Sequence, residues 1–171
     1  LLSDFKKVQE RVNRFTLELA YNRKEGYRLY GSEYHKRELL THALRKLLNM
    51  PGGEENLNRI YGIRKEGVKE LRENIEEIEN KLQLQFTDER LKELLYIFYF
   101  TLIRIKNEKT VEAMDQYRLV TTTKEYSVVA AFADKYRIKD ENEIVNFAVQ
   151  IQISKVHNRV YEDMGNLELL R

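Results

Sequence analysis

The side chains of this sequence that could do chemistry are its three histidines, its carboxylate pairs and its glycine turns. Catalysis by histidine needs the ring within hydrogen-bond reach of a nucleophile or an orienting carboxylate. His35 and His42 stand seven residues apart, about 10 Å along a helix axis, which is too far to share one metal ion without further ligands. His157 sits beside Asn158 and Arg159. Neither His-Glu-x-x-His nor Glu-x-x-His occurs, so the metal-binding helix patterns of hydrolases and di-iron bundles are missing. The carboxylates fall in runs, Glu54/Glu55, Glu76/Glu77/Glu79 and Glu141/Glu143. An acid–base pair needs two carboxylates in different environments around one pocket, whereas runs of this kind read as solvated faces. Gly62 and Gly67 fit neither phosphate-binding glycine pattern, and no lysine-serine or lysine-threonine pair follows a glycine loop. Residue types and spacing thus assign no catalytic, metal-binding or cofactor-binding residue, and the expectation is a non-enzymatic chain that needs no cofactor.

The elements that would carry other functions come from periodicity. Phe5, Val8, Val12 and Phe15 step by three and four, the apolar stripe of a short helix. The period then changes to two in Leu17-Glu18-Leu19-Ala20-Tyr21 and again in Tyr27-Arg28-Leu29-Tyr30, around the polar stretch 22–26. That pattern predicts a β-hairpin over residues 17–30, with Gly26 free to take positive φ in the turn. Ser32 is placed to cap a helix over Glu33 to Asn49, and Pro51-Gly52-Gly53 ends it. Further helices are predicted from Val68 to Leu82, from Thr87 or Asp88 to Lys106, from about Thr123 to Asp134, and after Asp140-Glu141-Asn142-Glu143, which reads as a capping box. Residues 107–122 lose the strong period, and 161–171 read as a linker.

The helix from Thr87 to Lys106 is apolar around nearly its whole circumference. One stripe suffices for a small bundle, so Tyr96, Tyr99, Phe100 and Ile103 are expected to meet a second copy in a homodimer, the alternative being that residues 33–63 fold back over them.

Composition bounds the rest. The 171 residues carry no cysteine, which excludes a disulfide scaffold, a zinc knuckle and a thiol nucleophile. The longest apolar stretch, Leu94 to Ile103, is too short to span a bilayer, and no export signal opens the sequence, so a cytoplasmic chain without a membrane span is expected. Residues 1–47 hold 11 Lys/Arg against 6 Asp/Glu, while the remainder has 19 against 22. The front end is locally basic, and a hairpin there places Arg23, Lys24 and Arg28 where they would touch a nucleic-acid backbone.

Two stretches resemble a known family. Leu17 to Glu33, LELAYNRKEGYRLYGSE, followed by Lys36-Arg37, is similar to the signature L-x-L, basic turn, G-Y-x-L-x-G-x-E-x-x-x-R of BglG/LicR/MtlR-type and Mga-like transcription activators. There it forms the wing and exit segment after a helix-turn-helix. FTDERL from Phe86, IRIK from Ile103 and YRIKDENEI from Tyr136 resemble the PTS-regulation domain, a five-helix and usually dimeric bundle. The resemblance implies a mainly α fold. Residues 1–50 would be the end of a winged helix-turn-helix region with a connecting helix, and residues 65–160 the regulation domain. It implies DNA binding through a domain upstream of Leu1, homodimerisation and contact with phosphotransferase-system proteins. The histidines phosphorylated in that family fall at Ile97 and Gln150, neither of which accepts a phosphoryl group as histidine does. This domain is then a constitutive copy, or a second regulation domain beyond Arg171 carries the switch. The competing expectations are a helical interaction or scaffold domain with no nucleic-acid role, and the regulation domain of an RNA-binding antiterminator.

Overall fold

The computed structural model describes residues 2–169, with side chains for 4–155. His157 falls outside the described side chains, and the last helix continues through Leu169, where a linker was expected from residue 161. The chain is mainly helical with one two-stranded antiparallel sheet near its start. Helix α1 spans Leu2–Asn13, and strands β1 (Glu18–Asn22) and β2 (Gly26–Tyr30) follow. Then come α2 (Glu33–Leu48), α3 (Gly53–Tyr61), α4 (Lys65–Leu82), α5 (Asp88–Lys106), a 3₁₀ segment (Asp115–Thr122), α6 (Lys124–Lys135) and α7 (Glu141–Leu169). From α4 onward there are five helical segments, the layout expected of the bundle.

Local chemistry sets the boundaries. Ser32, Thr87 and Thr123 each accept a hydrogen bond from the backbone N–H three residues on, His35, Arg90 and Tyr126 at 3.2 Å apiece. Each satisfies one of the orphan donors of a helix start. In the hairpin, Leu19 pairs with Leu29 and Tyr21 with Tyr27. Gly26 takes φ 75°, and Asn22 Oδ1 accepts from the Lys24 N–H at 2.8 Å, a side chain closing its own turn. The α2–α3 corner depends on Gly53, because a Cβ there would stand 1.8 Å from the Leu47 carbonyl oxygen. No other residue type permits that approach.

The core centres on Phe98 of α5, Phe132 of α6 and Phe147 of α7. Their ring centroids lie 4.7 to 5.5 Å apart in the tilted and edge-on geometries that aromatic quadrupoles favour. Leu71, Ile75 and Ile78 bring α4 onto this cluster.

Two further expectations need correction. Tyr96 and Phe100 do not face a second copy: Tyr96 is fully buried and Phe100 is 8% exposed. The turn at 51–53 lays α2 and α3 back over α5. The Tyr96 hydroxyl then lies 3.0 Å from Glu54 Oε1 and 2.8 Å from Asn58 Oδ1, and the Tyr61 ring meets Phe100 edge-on at 5.2 Å. Tyr99 stays half-buried and Ile103 exposed. Nor is Glu143 the solvated member of a capping box. It is fully buried and turned into the bundle, while Asp140 Oδ1 accepts from the Asn142 N–H at 2.9 Å.

Candidate functional site

The hairpin and α1 form one small unit. Gln9 of α1 donates to the Leu19 carbonyl at 3.4 Å, Phe5 lies on Tyr27 at 5.3 Å, and Tyr27 lies on Tyr21 at 5.0 Å. Both tyrosines remain 61% exposed. Arg23 and Lys24 stand exposed at the tip, and Arg28 is tied to Glu25 at 3.0 Å. An exposed pair of this kind is worth about 0–1 kcal/mol, so Arg28 is available to another anion. Lys6, Lys7, Arg11 and Arg14 are exposed on and just beyond α1, extending the basic surface past the three residues picked out from sequence.

This unit is fastened to the bundle through α2. Arg37 forks onto Glu143, Nη1 to Oε2 at 2.7 Å and Nη2 to Oε1 at 2.8 Å. It also donates to Glu33 Oε1 at 3.0 Å and to the Lys109 carbonyl at 2.8 Å. Arg104 of α5 forks onto the other side of Glu33, at 2.8 and 2.5 Å. Glu143 further accepts from the Val111 N–H at 2.9 Å, and Glu112 accepts from the Glu33 and Tyr34 N–H groups at 2.9 and 3.3 Å. Every carboxylate thus meets a guanidinium or a backbone donor, the condition under which buried charge is tolerated. Burial pushes the Glu33 carboxyl up, but hydrogen bonds and charge from Arg104 and Arg37 outweigh it and hold the group below its ordinary value. Burial acts on Glu112 in the same way and is outweighed by the backbone donors at the start of α2. Glu33 and Arg37 are the glutamate and arginine that close the wing signature. Glu143 was hidden as a member of a surface run, although it heads Glu143 to Val149, seven consecutive buried residues. A lone carboxylate at the head of so apolar a run was the available signal.

The two positions where the resemblance would put phosphorylated histidines lie in different settings. Ile97 is 5% exposed and part of the core. Gln150 opens onto a groove of about 250 Å³ between α2 and α7, beside His42 and Arg45. His35 is engaged by Ser32 Oγ at 2.9 Å, and His42 faces Phe15 at 5.4 Å. Among the described residues no cluster of His, Cys, Asp or Glu could hold a metal ion, and no helix is long and apolar enough to cross a membrane. No known family model matches the chain, and none of the curated proteins does so.

Proposed function

We propose that the chain is the regulatory and dimerising portion of a bacterial DNA-binding transcriptional regulator, related to activators controlled by the sugar phosphotransferase system. Its DNA contacts would be made chiefly by a unit outside these 171 residues. The observation that carries this reading is the junction. Glu33 and Arg37, at the exit of the hairpin, are bound by charge-assisted hydrogen bonds to Arg104 and Glu143 of the bundle. A stiff link of this kind would pass packing changes in the bundle to a DNA-binding head. The hairpin supports the reading over a purely helical scaffold, and its exposed basic tip suits phosphate contacts that position rather than specify. With Ile97 sealed in the core and Gln150 carrying no imidazole, this copy of the regulation domain would not be switched by phosphocarrier proteins. Self-association would use the exposed apolar surface of Ile60, Tyr61, Tyr99 and Ile103, which replaces the patch centred on Tyr96 and Phe100.

The test is duplex DNA binding by this fragment across a salt series. The expected outcome is an affinity no tighter than roughly micromolar, falling steeply with salt, with the slope reduced by about 3 when Arg23, Lys24 and Arg28 are all changed to Ala. Sequence-specific, salt-resistant binding, or a triple variant indistinguishable from the parent, would overturn the reading.

A further inference from the structure

The groove between α2 and α7 contains more hydrogen-bonding capacity than the protein uses. Asn146 is 6% exposed and lines the groove, and its amide, without a protein partner among the described residues, stays within reach of solvent in the groove. The Arg45 Nε–H is buried and lies 3.3 Å from Glu93 Oε2, an ion pair whose alignment falls short of a hydrogen bond. Water in the groove meets the Asn146 amide when no ligand is bound, and the hydroxyls of a ligand would take the water's place. The helical period explains why these groups meet. Thr41 and Arg45 are one turn apart on α2, Asn146 and Gln150 one turn apart on α7, and the two pairs line the same groove.

We infer that this groove is a binding site for an uncharged polyhydroxylated molecule of monosaccharide size. Three features select that class. First, the charges at the wall are already balanced. Arg37 is saturated by Glu33, Glu143 and the Lys109 carbonyl. Glu93 is shared by Arg45 and Arg90, and Glu38 adds one negative charge at the rim. Second, the free groups include both donors and acceptors close together, which vicinal hydroxyls answer and a carboxylate or an ammonium does not. Third, the aromatic rings do not form a parallel-sided slot. Phe15 and His42 meet at 57°, and Tyr34 and Tyr117 touch through their hydroxyls at 3.4 Å, so a flat base finds no stacking plates. At about 250 Å³ the space lies below the roughly 300–1,000 Å³ of drug-sized sites. The groove also touches four parts of the chain at once, Phe15 beyond α1, α2, the start of the 3₁₀ segment at Met114 and Tyr117, and α7, so an occupant would bear on how the hairpin unit sits against the bundle. The site does not depend on the nucleic-acid reading and can stand if that reading falls.

Binding is tested by NMR on the 171-residue chain with glucose, galactose, mannitol and ribitol as probes, and adenosine and benzoate as comparisons, each at roughly 10 mM, enough to load most sites at a dissociation constant of about 1 mM. The expected result is saturation transfer to at least one polyol, with shifts in the ring resonances of Phe15, Tyr34 and Tyr117, and binding weakened roughly tenfold by Asn146→Ala. Gln150→Ala, at a half-exposed position, gives the same reading if Asn146→Ala unfolds the protein. Silence from all four polyols overturns the proposal, as does preference for adenosine or benzoate, or polyol binding that neither variant weakens.

Discussion

Glu143 offers two oxygens and receives three donors, two from Arg37 and one from the Val111 amide. That economy makes a fully buried carboxylate tolerable, since each lone pair taken by a donor offsets part of the desolvation cost. Glu33, clasped by Arg37 and Arg104, behaves as an acid-sensitive counterpart. Its carboxyl is held below the ordinary 4.5 in the folded state. Its contribution to stability is therefore complete above that value and is lost as pH falls through the lower folded value. Glu79 works in the opposite sense: burial raises its carboxyl, against the Phe86 N–H that donates to it at 2.6 Å, so its cost grows as pH rises through the raised value. Urea midpoints measured between neutrality and about pH 3 are expected to fall steeply for the parent protein and distinctly less for Glu33→Gln, which is also less stable at neutrality. Parallel curves for the two would mean that Glu33 titrates no differently folded and unfolded. Glu33 and Arg37 are one helical turn apart and could be paired from the sequence, but the partners that tie them to the bundle, Arg104 and Glu143, are 71 and 106 residues away, and only the fold pairs them.

At the scale of elements, the stripe on α5 that called for a second copy is answered by the chain's own α2–α3 corner. Phe100→Ala is accordingly expected to lower folding stability by about 3 kcal/mol or more, read from a chemical denaturation curve, and to leave the oligomeric state of the folded protein unchanged. A stable, folded monomer from a dimeric parent would restore Phe100 to an interface. The elements themselves were largely legible. Period two around a Gly26 turn gave the hairpin within one residue of its observed strands, and Ser32, Thr87 and Thr123 marked helix starts that the structure caps as expected. Packing partners were not, because a helix apolar on all sides reads the same whether its neighbour is another molecule or its own preceding corner. The polar groove was equally hidden. Asn146 stands between Val145 and Phe147 in an apolar run, and only the packing of α7 against α2 reveals that it lines a polar groove.

For the whole molecule, the junction determines how separable its parts are. The α1–hairpin unit meets α2 through Phe15 on His42, and the fork between Arg37 and Glu143 holds α2 against α7. The segment between α5 and the 3₁₀ turn, residues 107–114, has no regular structure, and a stretch of that kind normally trades its amide protons with solvent quickly. The amides of Asn107, Glu108 and Lys109 are held by carbonyls of the last turn of α5; beyond them the Val111 N–H is held by Glu143 beneath a buried side chain. In deuterium exchange, the Val111 amide is expected to be the slow site of that segment beyond Lys109 and to accelerate in Arg37→Met, where the carboxylate loses the guanidinium that orients it. Unchanged protection in that variant would separate the loop from the fork. One backbone proton thereby becomes a clock for the latch, reporting how often the front of the chain comes undone from its body without any label, ligand or partner being added.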